Sequence, residues 1–188
     1  PVPGQPDLLL QSTYTGLVVF KRSGSGDWQL AHRVSGFTEP LKKIRFDASG
    51  NIWGSHPNKG LFRLRLSPDL RQVQEYKSFT REDGLPSDFA LDLTKLGGKP
   101  LVNTQFSPLQ IIDSAGKILF KPLAPAQPRQ RWLPGAGADY FRIDSSGIVL
   151  HTKQKKFRLP LSLVSGYEHI AILDSNTYLF CLENGFAL

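Results

Sequence analysis

The stretch Lys42–Leu66, KKIRFDASGNIWGSHPNKGLFRLRL, decides the fold prediction for this chain. It contains three short runs in which apolar and polar residues alternate, and glycine, proline and asparagine separate the runs. Such alternation, with β-branched and aromatic residues, is typical of half-buried β-strands. Ser49 and Gly50 favour a turn after the first run, and Pro57 cannot donate a ladder hydrogen bond after the second. The stretch therefore predicts a meander of three antiparallel strands.

Looser copies of this stretch recur along the chain. The third run of each copy opens on a hydrophobic residue, and these residues are Leu17, Leu61, Leu109, Phe157 and Phe186. A spacing of roughly 40 to 50 residues, with about four strands in each copy, is typical of β-propeller blades. One blade cannot bury both faces of its small sheet, so blades must stack on their neighbours. The spacing predicts an all-β chain of about four four-stranded antiparallel blades.

The copies divide the chain into five units, of which the last is incomplete. Their expected bounds are residues 7–40, 41–86, 87–138, 139–168 and 169–188. Closed propellers need about four to eight blades, and both ends of the sequence fall within a unit. We therefore expect residues 1–188 to form one propeller segment that continues in the remaining blades of a larger parent protein.

Four aromatic residues are expected to pack between blades. Trp53 lies in the second run of the best-preserved copy, where burial is expected. The other three are predicted to lie on corresponding outer strands of their blades, and they are Trp28, Tyr76 and Trp132.

The composition is typical of a globular domain with a basic surface. Apolar residues make up 40% of the 188 residues, which is enough for a sizeable core, and the formal net charge is +7. The basic residues are not interleaved with aromatic residues as on a single-strand nucleic-acid platform. They therefore indicate solvated strand faces and no nucleic-acid partner. No stretch approaches the roughly 18 consecutive apolar residues of a membrane-spanning helix.

No motif in the sequence indicates catalysis, a metal or a cofactor. The single cysteine, Cys181, excludes an intrachain disulfide and a cysteine-based zinc cluster. No G-x-S-x-G, Walker or zinc motif occurs. The histidines lie in separate units without metal-ligand spacing, and we expect surface or loop positions for His32, His56, His151 and His169. The chain is therefore predicted not to be an enzyme.

Aspartates recur at corresponding places in the copies, namely Asp47, Asp92, Asp144 and Asp174. Paired acids would suit a glycosidase. A residue present in every unit indicates architecture instead, because a catalytic residue is needed only once. An aspartate that closes a strand can accept hydrogen bonds from the backbone of the following turn. We expect these aspartates to be equivalent turn residues.

A ligand is expected on the face that carries the loops between second and third strands and the loops entering the inner strands. Loops on a rigid scaffold vary freely, so binding concentrates there. Polar groups beside aromatic residues in these loops suit a carbohydrate. The candidate ligand-binding residues are Tyr14, His56, Asn58, Lys59, Asp83, Asp88, Gln105, Phe106 and Asp139.

Two segments resemble the two-component regulator propeller repeat family. Residues 82–88, EDGLPSD, resemble its D-G-L-P-S-N loop, and residues 47–64 resemble its D-x-x-G-x-I-W-x-G-T…G-L-x-R-Y segment. Later units depart from the pattern, since Pro100-Leu101-Val102 stands where Ile-Trp is expected and Pro108 replaces the glycine before Leu109.

The resemblance implies a function that the residues alone do not. Members of this family form the periplasmic sensor half of membrane-anchored bacterial histidine kinases and hybrid regulators. The resemblance therefore implies a periplasmic location, an oligosaccharide ligand and a homodimer of the parent protein. A propeller scaffold for protein interaction and a fragment of a propeller glycosidase or lyase are the alternatives, because a fold alone does not choose a function.

Overall fold

The computed structural model of the chain describes residues 1–114, 116–125, 127, 129–164 and 167–188. Strands make up 53% of the structure and helix only 2%, the latter being one 3-10 turn at Arg81–Asp83. The strands form five small antiparallel sheets. The predicted all-β fold of β-propeller blades is confirmed, with five blades in the described part of the chain instead of about four. No helix in that part is long and apolar enough to cross a membrane.

The chain divides into two compact units, and the first is Pro1–Leu93. Its first blade has three strands, β1 (Leu8–Thr13), β2 (Gly16–Arg22) and β3 (Trp28–Val34). Its second blade has four strands, β4 (Lys43–Phe46), β5 (Ile52–Ser55), β6 (Leu61–Leu66) and β7 (Val73–Phe79). The three predicted runs of the organising stretch are β4, β5 and β6.

The second unit is Thr94–Leu188. The third blade contains β8 (Asp92–Leu96), β9 (Lys99–Asn103), β10 (Leu109–Ser114) and β11 (Lys117–Pro122). The fourth contains β12 (Arg131–Pro134), β13 (Tyr140–Asp144), β14 (Gly147–His151) and β15 (Lys156–Leu159). The fifth contains β16 (Ile170–Ile172), β17 (Tyr178–Leu182) and β18 (Gly185–Ala187). In all five blades each strand pairs with its neighbour in the chain.

Each unit has a hydrophobic core that blades share. In the first unit, Leu17 and Val19 of the first blade pack in one cluster with Ile52 and Leu64 of the second. In the second unit, the fourth and fifth blades share a cluster that contains Phe141 and Phe180, whose rings meet edge to face at 5.6 Å. Stacking of this kind buries the face that a single blade would leave exposed.

In both blades of the first unit, a glycine stands at the start of the strand that follows the hairpin tip. Gly16 begins β2 and Gly60 precedes β6, and both have positive φ, at 109° and 76°. A Cβ atom at Gly16 would overlap the carbonyl oxygen of Phe37, and one at Gly60 would overlap that of Phe79. Only glycine combines that backbone conformation with such a close approach.

Three of the four recurring aspartates are equivalent turn residues, as predicted. Asp47 follows β4, and its Oδ1 accepts hydrogen bonds from the backbone N of Ser49 and of Asn51, both at 2.9 Å. Asp144 and Asp174 each accept from the backbone N two residues later, both at 2.8 Å.

The prediction for Asp92 is wrong. Asp92 opens β8 and does not close a strand, and its buried carboxylate forms an ion pair with Lys43 Nζ at 2.7 Å. The physical reason is local: no serine-containing turn follows Asp92, and the chain reverses later, where Gly97 and Gly98 both have positive φ.

The acid sensitivity of the fold is expected to depend in part on Asp144. Burial raises the pKa of Asp144, but hydrogen bonds from Ser146 and the positive charge of Arg142 outweigh that effect and hold the pKa below its ordinary value. A carboxylate with a lowered folded-state pKa stabilises the fold above its unfolded-state pKa, and this contribution is lost as the pH falls through the folded-state value.

We therefore expect Asp144→Asn to be less stable than wild type at pH 7, and the difference to shrink below about pH 4, near the unfolded-state pKa of aspartate. Urea unfolding followed by circular dichroism at pH 7 and at pH 3 measures both differences. A destabilisation that stays constant with pH would contradict this role of the carboxylate.

The expected equivalence of Trp28, Tyr76 and Trp132 is wrong. Trp28 is on β3 and Tyr76 on β7, and both are exposed. Trp132 is on β12, the first strand of the fourth blade, because β11 already supplies the fourth strand of the third blade. The ring of Trp132 stacks on Tyr140 at 4.6 Å, and Tyr140 stacks on His151 at the same distance.

Candidate functional site

Four hairpin tips in the structure begin with a side chain that accepts hydrogen bonds from the backbone of the turn. In three of them a threonine Oγ1 accepts a backbone hydrogen bond from within the turn, and these threonines are Thr13, Thr104 and Thr152. The fourth tip, between β5 and β6, has His56 at this position, where Nδ1 accepts from the backbone N of Asn58 at 3.1 Å and of Lys59 at 3.0 Å. His56 thus takes over the role that a threonine has in the other blades.

The His56 ring is a buried turn residue, with 5% of its surface exposed. It lies in a loop as predicted, but it is not the surface residue that the sequence suggested. Because Nδ1 accepts two N–H groups, the neutral ring carries its proton on Nε2. Nε2 lies 3.2 Å from Oε2 of Glu39, which is within ion-pair distance, but the geometry does not form a hydrogen bond. The imidazole therefore reaches a carboxylate that a threonine could not.

Glu39 also binds the ammonium group of Lys59. Lys59 Nζ donates to Oε1 at 2.8 Å and to Oε2 at 3.0 Å. The hydrogen bond from Lys59 is the main reason that the pKa of Glu39 lies below its ordinary value. We call Glu39, His56 and Lys59 the Glu39 cluster. The formal charges of Glu39 and Lys59 cancel, and both side chains remain partly open to solvent.

A groove of about 290 Å³ lies between the hairpin tips of the first unit. Its walls are the tip of the β1–β2 hairpin, the segment entering β4, and the tip of the β5–β6 hairpin. The lining residues are Ser12, Thr13, Tyr14, Pro40, Leu41, Lys42 and Pro57. Pro40 and Pro57, which line the groove, directly follow Glu39 and His56 in the chain. Tyr14 is 94% exposed and offers a free aromatic ring at the edge of the groove.

The loop between β7 and β8 adjoins the same hairpin tip. The backbone N of Gly60 donates to the carbonyl oxygen of Asp88 at 2.7 Å. The aspartate side chains of this loop bind its own backbone. The carboxylate of Asp83 accepts from the backbone N of Thr80, and that of Asp88 accepts from the backbone N of Arg81 at 2.8 Å. Asp83 and Asp88, predicted as ligand-binding residues, thus order the loop. Phe89, which was not predicted, is exposed beside it.

The remaining predicted residues fall in two places. Asn58 is exposed at the tip of the β5–β6 hairpin. Gln105, Phe106 and Asp139 lie in the second unit. There Gln105 O accepts from the backbone N of Arg129 at 2.9 Å, the ring of Phe106 is exposed, and Asp139 closes a short turn with Gly135. The first unit therefore brings together Tyr14, His56, Asn58 and Lys59.

Sequence reasoning missed Glu39, Pro40 and Lys42. Glu39 lies 17 positions before His56 in a connecting segment without a motif, so only the fold shows that the two side chains meet. The repeat did contain a signal for His56, because the corresponding tips of three other copies have threonine at this place. A residue that departs from a repeated structural position is a candidate for a role of its own.

The chemistry of this site is that of reversible binding. The Glu39 cluster holds a carboxylate acceptor and an ammonium donor side by side, and the groove has an exposed aromatic ring at its edge. Polar groups that fix orientation beside apolar surface are typical of small-molecule sites. Among the residues that the structure describes, no group of three or more His, Cys, Asp or Glu side chains is placed to hold a metal ion.

Neither the comparison with protein-family models nor that with curated protein sequences finds a match to this chain.

Proposed function

We propose that this chain is part of the periplasmic, ligand-sensing propeller of a bacterial two-component regulator, and that its groove binds an oligosaccharide without catalysing a reaction. The groove lined by Tyr14, Leu41 and Pro57 is the observation that carries the binding part. The signalling part is supported by the resemblance of residues 47–64 and 82–88 to the regulator repeats.

Sensing by such a propeller requires a difference in affinity between two states. A ligand shifts an equilibrium only as far as it binds one state more tightly than the other. The tips of the β1–β2 and β5–β6 hairpins belong to different blades, so a ligand in the groove contacts both. Binding there would favour one arrangement of the paired parent proteins and would pass the signal through their dimer.

The binding part predicts stabilisation by oligosaccharides and its loss in Tyr14→Ala. A saturating ligand at 100 times its dissociation constant stabilises a protein by about 2.7 kcal/mol. Thermal unfolding of the 188-residue chain with a panel of plant and microbial oligosaccharides measures the shift. Tyr14→Ala should keep the melting temperature without ligand, because the ring is exposed, and should lose most of the shift with ligand.

Tyr167→Ala is the matched control, since Tyr167 is 81% exposed in the second unit. It should respond to the oligosaccharides as wild type does. No shift with any member of the panel would refute the oligosaccharide part. Release of reducing ends during the incubation would instead favour the glycosidase alternative.

The signalling part is tested by the reading frame of the parent gene. A transmembrane helix followed by a kinase or DNA-binding region supports the proposal. A catalytic module in that place would refute it.

A protein-interaction scaffold is the second candidate function. Its specific support is the exposed apolar surface of the outer strands, where Trp28 and Leu30 on β3 and Tyr76 on β7 face solvent. Exposed apolar residues on neighbouring strands are typical of protein contact surfaces. A purified partner whose binding is lost in Leu30→Ser, with no oligosaccharide shift, would favour this function.

A further inference from the structure

The fourth blade ends on a strand whose outer edge is unpaired. Four strands follow the hairpin tips that begin with a threonine or with His56, and they are β2, β6, β10 and β15. In the first three blades this strand also pairs with an outer strand, namely β3, β7 or β11. In the part of the chain that the structure describes, β15 pairs with β14 alone, because the remaining strand of this blade, β12, pairs with β13. The other blades therefore show what covers such an edge.

The unpaired edge is strongly basic. The sequence has no acidic residue between Asp144 and Glu168. Within that interval, β15 and the tip before it carry four exposed basic residues, and these are Lys153, Lys155, Lys156 and Arg158. Charged residues on an edge strand prevent pairing with uncharged strands, but they attract a strand of opposite charge. The charge of this edge thus favours an acidic occupant.

The two faces of β15 differ in their chemistry. Leu159 packs against the hydrophobic cluster of the fourth and fifth blades, and Phe157, two residues earlier, lies opposite Leu150 of the same cluster. Lys156 and Arg158 lie on the other face, because successive residues of a strand alternate between faces. A strand added at this edge therefore meets basic groups on one face and apolar groups on the other. The ring of Phe157 is 39% exposed and is open to such a contact.

The second blade shows which residues suit an outer strand in this place. On β7, Glu75 lies opposite Arg65, and the two side chains form an ion pair at 2.9 Å. The next residue, Tyr76, lies opposite Leu64. An acidic residue thus faces a basic one, and an aromatic residue faces an aliphatic one, in alternation along the strand.

There is also open space at the end of β15. A groove of about 500 Å³ is lined by Arg158 and Leu159, by residues 160–162 and by the turn between β13 and β14. An extended segment that pairs with the edge of β15 reaches this groove as it continues along the strand.

We propose that the edge of β15 binds an extended acidic segment of a partner protein, which pairs with β15 and supplies the outer strand that the fourth blade lacks. Acidic residues of the segment contact Lys156 and Arg158, and apolar residues between them cover Phe157. Addition of a strand to a sheet edge is a recurring mode of peptide recognition, in which backbone hydrogen bonds give affinity and alternate side chains give specificity. This surface belongs to the second unit, so it does not depend on the function proposed for the groove of the first unit.

Fluorescence anisotropy with labelled peptides tests this assignment on the full 188-residue chain. The probe is the end-blocked peptide EVEYEV, and we expect wild type to bind it and to bind KVKYKV at least about tenfold more weakly. Two further versions of EVEYEV carry methyl groups on alternate backbone nitrogens, one version for each edge of the added strand. Methylation of the edge that faces β15 should weaken binding about tenfold or more, because its N–H groups can no longer donate. Equal binding of the two methylated versions would overturn strand pairing.

Lys156→Gln combined with Arg158→Gln should weaken binding of EVEYEV about fivefold, as expected for the loss of two exposed ion pairs. The matched control is Lys117→Gln combined with Lys121→Gln. Both of these lysines are exposed on β11, the outer strand of the third blade. The control removes the same charge from the same unit and should change the dissociation constant less than about twofold. Equal losses in the two double variants would indicate attraction by net charge alone and would overturn the site.

Hydrogen exchange followed by mass spectrometry locates the bound peptide. The backbone amides of residues 153–159 should exchange more slowly when EVEYEV is bound, and protection only elsewhere would overturn the assignment. A single-stranded thymidine oligonucleotide of equal charge that binds as tightly as the peptide would assign this edge to polyanions and would overturn the protein partner. No binding of EVEYEV would overturn the proposal and leave the lysines as a guard against strand pairing. The oligosaccharide test of the first unit stands apart from each of these outcomes.

Discussion

Trp53→Ala is expected to lower the free energy of unfolding by about 3–5 kcal/mol, the cost of emptying a large buried site. The indole is 2% exposed and lies 5.3 Å from the ring of Phe79. Its Nε1 donates to Oδ2 of Asp47 at 3.1 Å, so the substitution also removes a partner of the turn aspartate. Urea unfolding followed by far-ultraviolet circular dichroism measures the loss without relying on tryptophan fluorescence.

Trp28→Ala is the control for this prediction. Trp28 is 41% exposed on β3, so its removal empties no closed site. We expect a loss below about 1 kcal/mol, as for most surface substitutions. Equal losses in the two variants would contradict the burial of Trp53.

Gly60→Ala is expected to destabilise the chain by about 3 kcal/mol or more. Two costs combine, the positive φ of 76° and the overlap of the new Cβ with the carbonyl oxygen of Phe79. The left-handed conformation alone costs an alanine about 1–2 kcal/mol. The overlap adds more, because the obstacle is backbone in a paired strand and cannot rotate away as a flexible side chain would.

Gly50→Ala separates these two costs. Gly50 has a similar φ of 81° and nothing within 4 Å of an added Cβ. Its loss should be only the conformational cost of about 1–2 kcal/mol. Thermal and urea unfolding of both variants give the comparison. If Gly60→Ala lowered the free energy of unfolding no more than Gly50→Ala does, the close approach between β6 and the end of β7 would not account for the expected loss.

Most of the fold could be predicted because its determinants are local. The alternation around Trp53, the aspartate at position 47 and the glycine at position 50 lie within one hairpin and directly determine its strands and turn. The same local pattern correctly located the turns at Asp144 and Asp174. Where the pattern was degraded, the assignment of strands to blades failed. Trp132 was assigned to the wrong blade because the strand Lys117–Pro122 was not recognised.

The candidate site was less predictable because its contacts join segments that are distant in the chain. Tyr14 was predicted from its position at a hairpin tip, and its exposure agrees with that prediction. The pairing of Glu39 with His56 and Lys59 depends on how the segment before β4 packs against the β5–β6 hairpin tip, and no sequence pattern describes it. Asp83 and Asp88 are predicted from their polarity as ligand-binding residues. In the structure their carboxylates accept hydrogen bonds from the backbone of their own loop.

Pairing between consecutive strands also determines the order in which this protein can fold. Every strand of each blade bonds to its neighbour in the chain, so each hairpin forms by closing a short loop. Hairpins of this type form in about 1–10 μs, and proteins rich in local contacts fold faster than those that depend on distant ones. The blades can therefore acquire their strand order one after another, as the chain leaves the ribosome, before their faces are buried. The hairpin tips are then shaped early, whereas the groove between them waits until the first two blades stack, because its lining comes from both.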